Sequence, residues 1–258
     1  MRPGLSPDGR RVAFFWGGEK NNDGGLYVAT VGEPENQRLT VSRGGHDNFA
    51  RWSPNGELIA FVRHGANGPT AGGRVHVVSS TGGPDRKLSD FPALGPLAWS
   101  PDGQYIAASR WAPTEPDGVT GIYLIPLAGG ELRRLTETRA PFRDTGLAFS
   151  PDGRTLAYAS CTPRCDVYLA PFDASLNPVG PPRRLTSQAL GYIGVVAWTR
   201  DGKEVVYDSA VGRGLTQLMR VGVDGTRRPE RIELAGLNAF APATATHADR
   251  LVFSRQYS

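Results

Sequence analysis

The chain has 258 residues, 39% of them hydrophobic, which is enough apolar material for one sizeable domain, while its 33 glycines and 21 prolines argue against a helical bundle or a coiled coil. The formal charge of +4 is spread along the chain with no cluster of five or more basic residues, so the sequence offers no patch or stripe for nucleic acid. No stretch approaches the ~18 consecutive apolar residues of a membrane span, so no membrane insertion is expected, and residues 1–7 carry no apolar core of a signal peptide. Only Lys20, Lys87 and Lys203 are lysines among the 29 basic residues, an arginine bias read as genome composition.

Repeats organise everything else. The runs LSPDGRRVAFF from Leu5, WSPNGELIAFV from Trp52, WSPDGQYIAAS from Trp99, FSPDGRTLAYA from Phe149 and WTRDGKEVVYD from Trp198 are one pattern, with a decayed sixth copy, TATHADRLVFS, from Thr244. The turn residues Gly9, Gly56, Gly103, Gly153, Gly202 and Ala248 are 47, 47, 50, 49 and 46 residues apart, a period that means a propeller or a solenoid. In each copy an aromatic or apolar residue enters the turn. Pro presets its first φ, Asp bonds the local backbone, and Gly takes the left-handed position of a hairpin loop. An apolar run such as Ile59-Ala60-Phe61 then forms the second strand. A third follows at Leu26-Tyr27-Val28, Val75-His76-Val77, Ile122-Tyr123-Leu124, Val167-Tyr168-Leu169 and Leu218-Met219-Arg220-Val221. A short fourth closes each unit at Arg38-Leu39-Thr40, Lys87-Leu88-Ser89, Arg134-Leu135-Thr136, Arg184-Leu185-Thr186 and Arg231-Ile232-Glu233.

Four strands per ~48 residues is a propeller blade. The fold class is therefore all-β, a β-propeller of four-stranded blades forming one domain over 1–258. Its six units cover about 1–42, 43–90, 91–138, 139–188, 189–235 and 236–258. The first unit is expected to be incomplete, with only Pro3-Gly4-Leu5 as a first strand, and the last ends after its second strand. An open sheet edge invites pairing, so self-association through 243–258 or a frayed last blade is expected.

These hairpins, the aromatic before them and the closing Arg-Leu-Thr resemble the WD-like repeats of TolB-type six-bladed propellers. The stretch from Phe15 to Asn22 and Pro182-Arg183-Arg184-Leu185-Thr186 also resemble the propeller modules of bacterial CadC-like winged-helix regulators and Ser/Thr kinases. The resemblance implies a sensory or protein-binding module of a larger bacterial signalling or envelope protein, in the periplasm or the cytoplasm. Similar propellers also occur in polysaccharide lyases and prolyl-oligopeptidase-like hydrolases, which makes an enzyme or enzyme fragment the alternative.

Motifs for catalysis are missing: there is no Gly-x-Ser-x-Gly, Walker loop, His-Glu-x-x-His or dinucleotide fingerprint. No cofactor is expected. Of the four histidines, only His46 and His64 could approach a shared face, too few for the three protein ligands usual at catalytic zinc, so no metal site is expected. Cys161 and Cys165 flank a hairpin neck and are as compatible with a disulfide in an oxidising compartment as with two thiols in a reducing one. Function is expected in the loops that rigid blades present on one face. The contact residues assigned there are His46, Asp47, Phe49, Trp111, Phe142, Arg143, Asp144, Tyr192, Asn238 and Phe240, because aromatics mixed with Arg and Asn have the composition of protein-contact hot spots. The competing role for Phe49 or Phe142 is to fill the space between blades.

Overall fold

A computed structural model describes residues 3–18, 24–42, 45–65, 72–110, 119–139, 142–162, 164–187, 191–211, 215–245, 247–248 and 250–256. The repeated turn forms as the residue types demand. In the first copy Ser6 Oγ donates to Asp8 Oδ1 (2.6 Å) and accepts from Arg11 N (2.8 Å), Asp8 Oδ1 accepts from Arg10 N (3.0 Å), and Gly9 sits at φ 70°. Ser150 with Asp152 and Thr199 with Asp201 repeat it, and Asn55 takes the acidic position beside Ser53 in the second copy.

Each turn joins the first two strands of an antiparallel sheet whose strands follow in sequence order. Blade one is β1 (Gly4–Leu5), β2 (Arg11–Trp16), β3 (Gly25–Thr30) and β4 (Asn36–Arg38). Blade two is β5 (His46–Trp52), β6 (Leu58–His64), β7 (Arg74–Ser79) and β8 (Arg86–Lys87). Blade three is β9 (Ala93–Trp99), β10 (Tyr105–Arg110), β11 (Val119–Pro126) and β12 (Arg133–Arg134), with the short β13 (Thr138–Arg139) also on β11. Blade four is β14 (Arg143–Phe149), β15 (Thr155–Thr162), β16 (Arg164–Pro171) and β17 (Arg183–Arg184); blade five is β18 (Val196–Trp198), β19 (Glu204–Val211), β20 (Leu215–Gly222) and β21 (Glu230–Arg231). The sixth position holds two strands, β22 (Ala239–Thr244) and β23 (Leu251–Arg255). Among the described residues there are thus five four-stranded blades and a two-stranded sixth, so the ring is not six full blades. Blade one, expected to lack a first strand, has one of two residues, since β1 pairs Gly4 with Ala13 and Leu5 with Val12.

The core is distributed as six layers between blades. The layers between blades one and two, two and three, three and four, and four and five contain nine to thirteen buried residues each. Those on either side of blade six contain three each, Leu218, Ala235 and Ala239 towards blade five and Leu5, Ala243 and Ala245 towards blade one. Alternation along β23 puts Val252 against the second layer and Phe253 against the first. The ring closes where Arg250 Nη1 donates to Gly9 O (2.7 Å) and His247 N to Pro7 O (2.9 Å).

Neighbouring blades are also tied by recurring hydrogen bonds. The aromatic before the turn reaches the previous blade: Trp52 Nε1 donates to Gly4 O, Trp99 Nε1 to Arg51 O and Trp198 Nε1 to Ala148 O, each at 2.9 Å. In blade six Thr244 Oγ1 replaces the indole, donating to Trp198 O at 2.8 Å. On the outside, Arg86 donates to Leu127 O, Arg133 to Ser175 O and Arg183 to Val223 O, all on the following blade. Part of the arginine bias read as genome composition therefore has a structural use.

Candidate functional site

First strands begin, and second strands end, on the same face, and the closing Arg-Leu-Thr segments return to it. Their hydroxyls build its floor. Thr40 Oγ1 accepts from Leu26 N (2.9 Å) and donates to Asp47 Oδ2 of the next blade (2.6 Å), and Thr136 Oγ1 accepts from Ile122 N (3.0 Å) and donates to Asp144 Oδ2 (3.0 Å). Thr186 does the same between Val167 N and Asp166 within blade four. Asp208 completes the series by accepting from Gly194 N, Val195 N and Ala241 N of blade six (2.7–2.9 Å). Asp47 and Asp144, assigned to the contact face, are buried struts of this floor. Asp47 also holds Arg63 at 2.8 Å. Burial pushes the Asp144 carboxyl above the usual range, against the hydroxyls of Thr138, Ser160 and Thr136 that pull it down.

Within this face lies a cavity of about 180 Å³ whose walls include Phe49, His64, Ser109, Arg110, Arg143 and Tyr192. His46 and His64 are cross-strand partners in the β5–β6 ladder. His46 is exposed with its ring edge-on to Phe15, whereas His64 is 1% exposed, 6.3 Å from the Phe49 ring, and finds no protein hydrogen-bond partner at either nitrogen. Burial first, and His46 second, hold the His64 imidazole below its usual range, so it is neutral at pH 7. Ser109 Oγ, also buried, has no partner either. Among the described residues no three His, Cys, Asp or Glu side chains gather as a metal site.

Phe49 occupies a left-handed conformation, φ 60°, at a bulge of β5, where blades three and four place Gly95 (φ 75°) and Gly146 (φ 65°). For a bulky residue this backbone is a real outlier. Its ring packs into the layer between blades two and three, the filling role considered for it, and also lines the cavity. Arg143, exposed, and Tyr192, 50% exposed, line the cavity, and Phe142, also 50% exposed, precedes Arg143 in the chain. Asn238 (φ 63°) and Phe240 are half-buried where β22 begins. Trp111 lies outside the described residues. Ser109 was missed by the sequence reading. It occupies the position of Phe15, Val62 and Ala159 in the repeat, but blades five and six carry Asp208 and Ser254 there, so a polar side chain at that position did not single it out. Cys161 also borders the cavity; it faces Cys165 in the β15–β16 register, with Cα atoms 4.0 Å apart and a disulfide between them.

The opposite opening of the central channel, on the side of the Ser-Pro-Asp-Gly turns, is a larger and more apolar cavity of about 310 Å³ walled by Trp52, Trp99, Phe149, Trp198 and turn prolines. Its indole N–H groups are all committed to the interblade bonds described above.

No family model matches the chain, and no curated protein matches it. Solved structures do. A putative TolB from Agrobacterium tumefaciens aligns with TM-score 0.70 and 24% identity over 89% of this chain and 79% of that one. TolB from Acinetobacter baumannii aligns with TM-score 0.72 and 18% identity over 94% of this chain and 56% of that one. A chain of a nidogen/laminin complex aligns with TM-score 0.72 and 13% identity, covering 95% and 85%. Structures of prolyl oligopeptidases and oligogalacturonate lyases share the fold as well. The protein therefore has the TolB-like β-propeller fold, one that carries both binding proteins and enzymes, so function must be argued from the site.

Proposed function

We propose that this propeller is a non-catalytic module that binds a protein partner, or senses through one, on the face where its first strands begin. The observation that carries this reading is the exposed Arg143 and the half-exposed Tyr192 lining one cavity, with a second half-exposed aromatic, Phe142, next to Arg143 in the chain. Singly exposed hydrophobics are ordinary. Aromatics with Arg have the composition of contact hot spots, and Arg143, the first residue of β14, is held by its blade. A nidogen/laminin complex among the similar structures agrees with a protein partner. The resemblance to propellers of CadC-like regulators and kinases adds a bacterial signalling or envelope setting, and the Cys161–Cys165 disulfide favours an oxidising compartment such as the periplasm. Photo-cross-linking tests the proposal. A photoreactive residue at position 142 is expected to capture one defined protein in native extract, and the same residue at position 152 on the opposite face is not. Equal labelling from both positions, or none from 142, would overturn it.

A further inference from the structure

We infer that the cavity on this face is a binding site for a neutral primary carboxamide carried on a short apolar arm. Two side chains that line it, His64 and Ser109, are 1% and 3% exposed, and neither imidazole nitrogen nor the serine hydroxyl finds a protein partner. They stand on different blades, at the ends of β6 and β10, so the lack is not one local fault of packing. Buried polar groups are almost always paired, and one left unpaired costs the fold its lost hydration. At the position of Ser109 blade four carries Ala159, a side chain with nothing to satisfy, so the hydroxyl is not required by the blade.

The unmet valences define the ligand. His64 is neutral, so its imidazole holds out one N–H and one lone pair, and the Ser109 hydroxyl adds a second donor and a second acceptor. A primary carboxamide is the same set in reverse, two N–H donors and a carbonyl oxygen with two lone pairs, whereas a ketone brings no donor and an alcohol only one. Charge excludes the other polar groups. The guanidinium groups bordering the cavity are already engaged, Arg110 over the Tyr123 ring at 5.9 Å and Arg143 with partners of its own, so neither is held ready for an anion. A cation fares no better, because Asp144 is buried and accepts from Thr136 and Thr138 in the floor. An ion of either sign would give up its hydration without gaining an opposite charge, and a neutral amide loses far less. Phe49, Leu94 and Tyr192 supply apolar wall, which suits a methylene or two behind the amide. At about 180 Å³ the space is below the ~300–1,000 Å³ of drug-sized pockets, which restricts the occupant to a few heavy atoms. Phe49 forms its part of the wall from a left-handed backbone, strain of the kind that concentrates at functional sites.

Such an amide belongs either to a free small molecule or to an Asn or Gln side chain of a bound polypeptide. Titrating the full chain with propionamide and with the capped peptide acetyl-Gly-Gln-Gly-methylamide reaches both sources. Propionate, butanone and butan-2-ol are controls of matching size, and acetyl-Gly-Ala-Gly-methylamide is the control for the peptide. Calorimetry and the imidazole nitrogen resonances of His64 provide the readouts. Propionamide is expected to bind one-to-one at millimolar concentration, at least about tenfold tighter than each control, a difference of about 1.4 kcal/mol. The His64 resonances are expected to move with occupancy. Ser109→Ala is expected to weaken binding about tenfold while leaving the melting temperature of the free chain unchanged or raised, since it removes an unpaired buried hydroxyl. A serine that serves only the fold would show the opposite pair of effects. Preference for the Gln peptide over its Ala counterpart assigns the amide to a polypeptide; binding of propionamide with both peptides excluded assigns it to a free small molecule. His64 resonances unmoved by both propionamide and the Gln peptide would overturn the inference and leave a water-filled cavity. So would equal affinity for propionate, butanone or butan-2-ol, or a Ser109→Ala chain that binds as before or melts earlier. The inference does not depend on a protein docking at this face, and cross-linking from position 142 touches neither His64 nor Ser109, so either reading can fail alone.

Discussion

At the scale of single residues, the repeated turn shows how one side chain is made to do several jobs. Asp8, Asp152 and Asp201 have carboxyls held below their usual range, first by the Ser or Thr hydroxyl that opens the turn, then by the backbone N–H two residues on. A carboxyl whose folded pKa lies below its unfolded value stabilises the fold above the unfolded value, near pH 4, and loses that contribution as pH falls through the folded one. Thermal melts are therefore expected to show an acid limb opening below about pH 4. Blade two contains its own control, since Asn55 makes the same turn without a titrating group. Replacing Asp8, Asp152 and Asp201 together by Asn is expected to keep the fold and flatten that limb; an unchanged limb would place the acid sensitivity elsewhere. At the bulge of β9, Gly95 has φ 75°, and an added Cβ would come within 2.6 Å of Thr145 Oγ1. Gly95→Ala is expected to cost about 1–2 kcal/mol, measured by denaturant unfolding.

The blade is the element, and its closing Arg-Leu-Thr is the part whose roles were least legible beforehand. The strands, turns and period follow from apolar runs and turn residues only a few positions apart. The threonine was visible as a repeated letter, but its work is done across the blade: it takes an N–H from the third strand and hands its own proton to a buried Asp. Neither partner has a signature near the threonine in sequence. Thr136→Val preserves shape while leaving Ile122 N–H and Asp144 each short of a partner. The expected loss is about 2–4 kcal/mol, again by denaturant unfolding, and a loss under 1 kcal/mol would mean that water replaces the hydroxyl. The outer arginines are a similar case. Arg86, Arg133 and Arg183 bond backbone carbonyls about 40 residues away, and a carbonyl carries no sequence signature at all. The left-handed Phe49 was partly readable, because glycines stand at the matching bulges of blades three and four. The cavity itself was not, since it depends on how closely side chains from four blades approach.

At the scale of the whole molecule, stability is uneven around the ring. Blade six packs through two thin layers, and among the described residues β23 pairs only with β22. Amide exchange is expected to be fastest at Leu251 to Phe253 and slow in β19, which lies between strands on both sides. The open edge is also where a second copy would pair. Light scattering is expected to show concentration-dependent association that vanishes on Val252→Lys, which sets a charge on that strand. A strict monomer with slow exchange at 251–253 would mean that the thin layers and the Arg250 and His247 bonds protect the blade by themselves.

The interblade bonds also set an order of assembly. The indole, threonine and arginine bonds described above link blades adjacent in sequence, at separations of 40 to 50 residues, whereas Arg250 to Gly9 spans 241. Each doubling of a closed loop adds only about 0.6 kcal/mol, so the closing step costs about 1.4 kcal/mol more than any earlier one. A chain emerging from the ribosome can therefore fasten each blade onto the one before it, at low cost and without waiting for the rest. Blade one alone must keep a face uncovered until the sixth arrives, and that face, around Leu5 and Val12, is the one a chaperone would meet during synthesis.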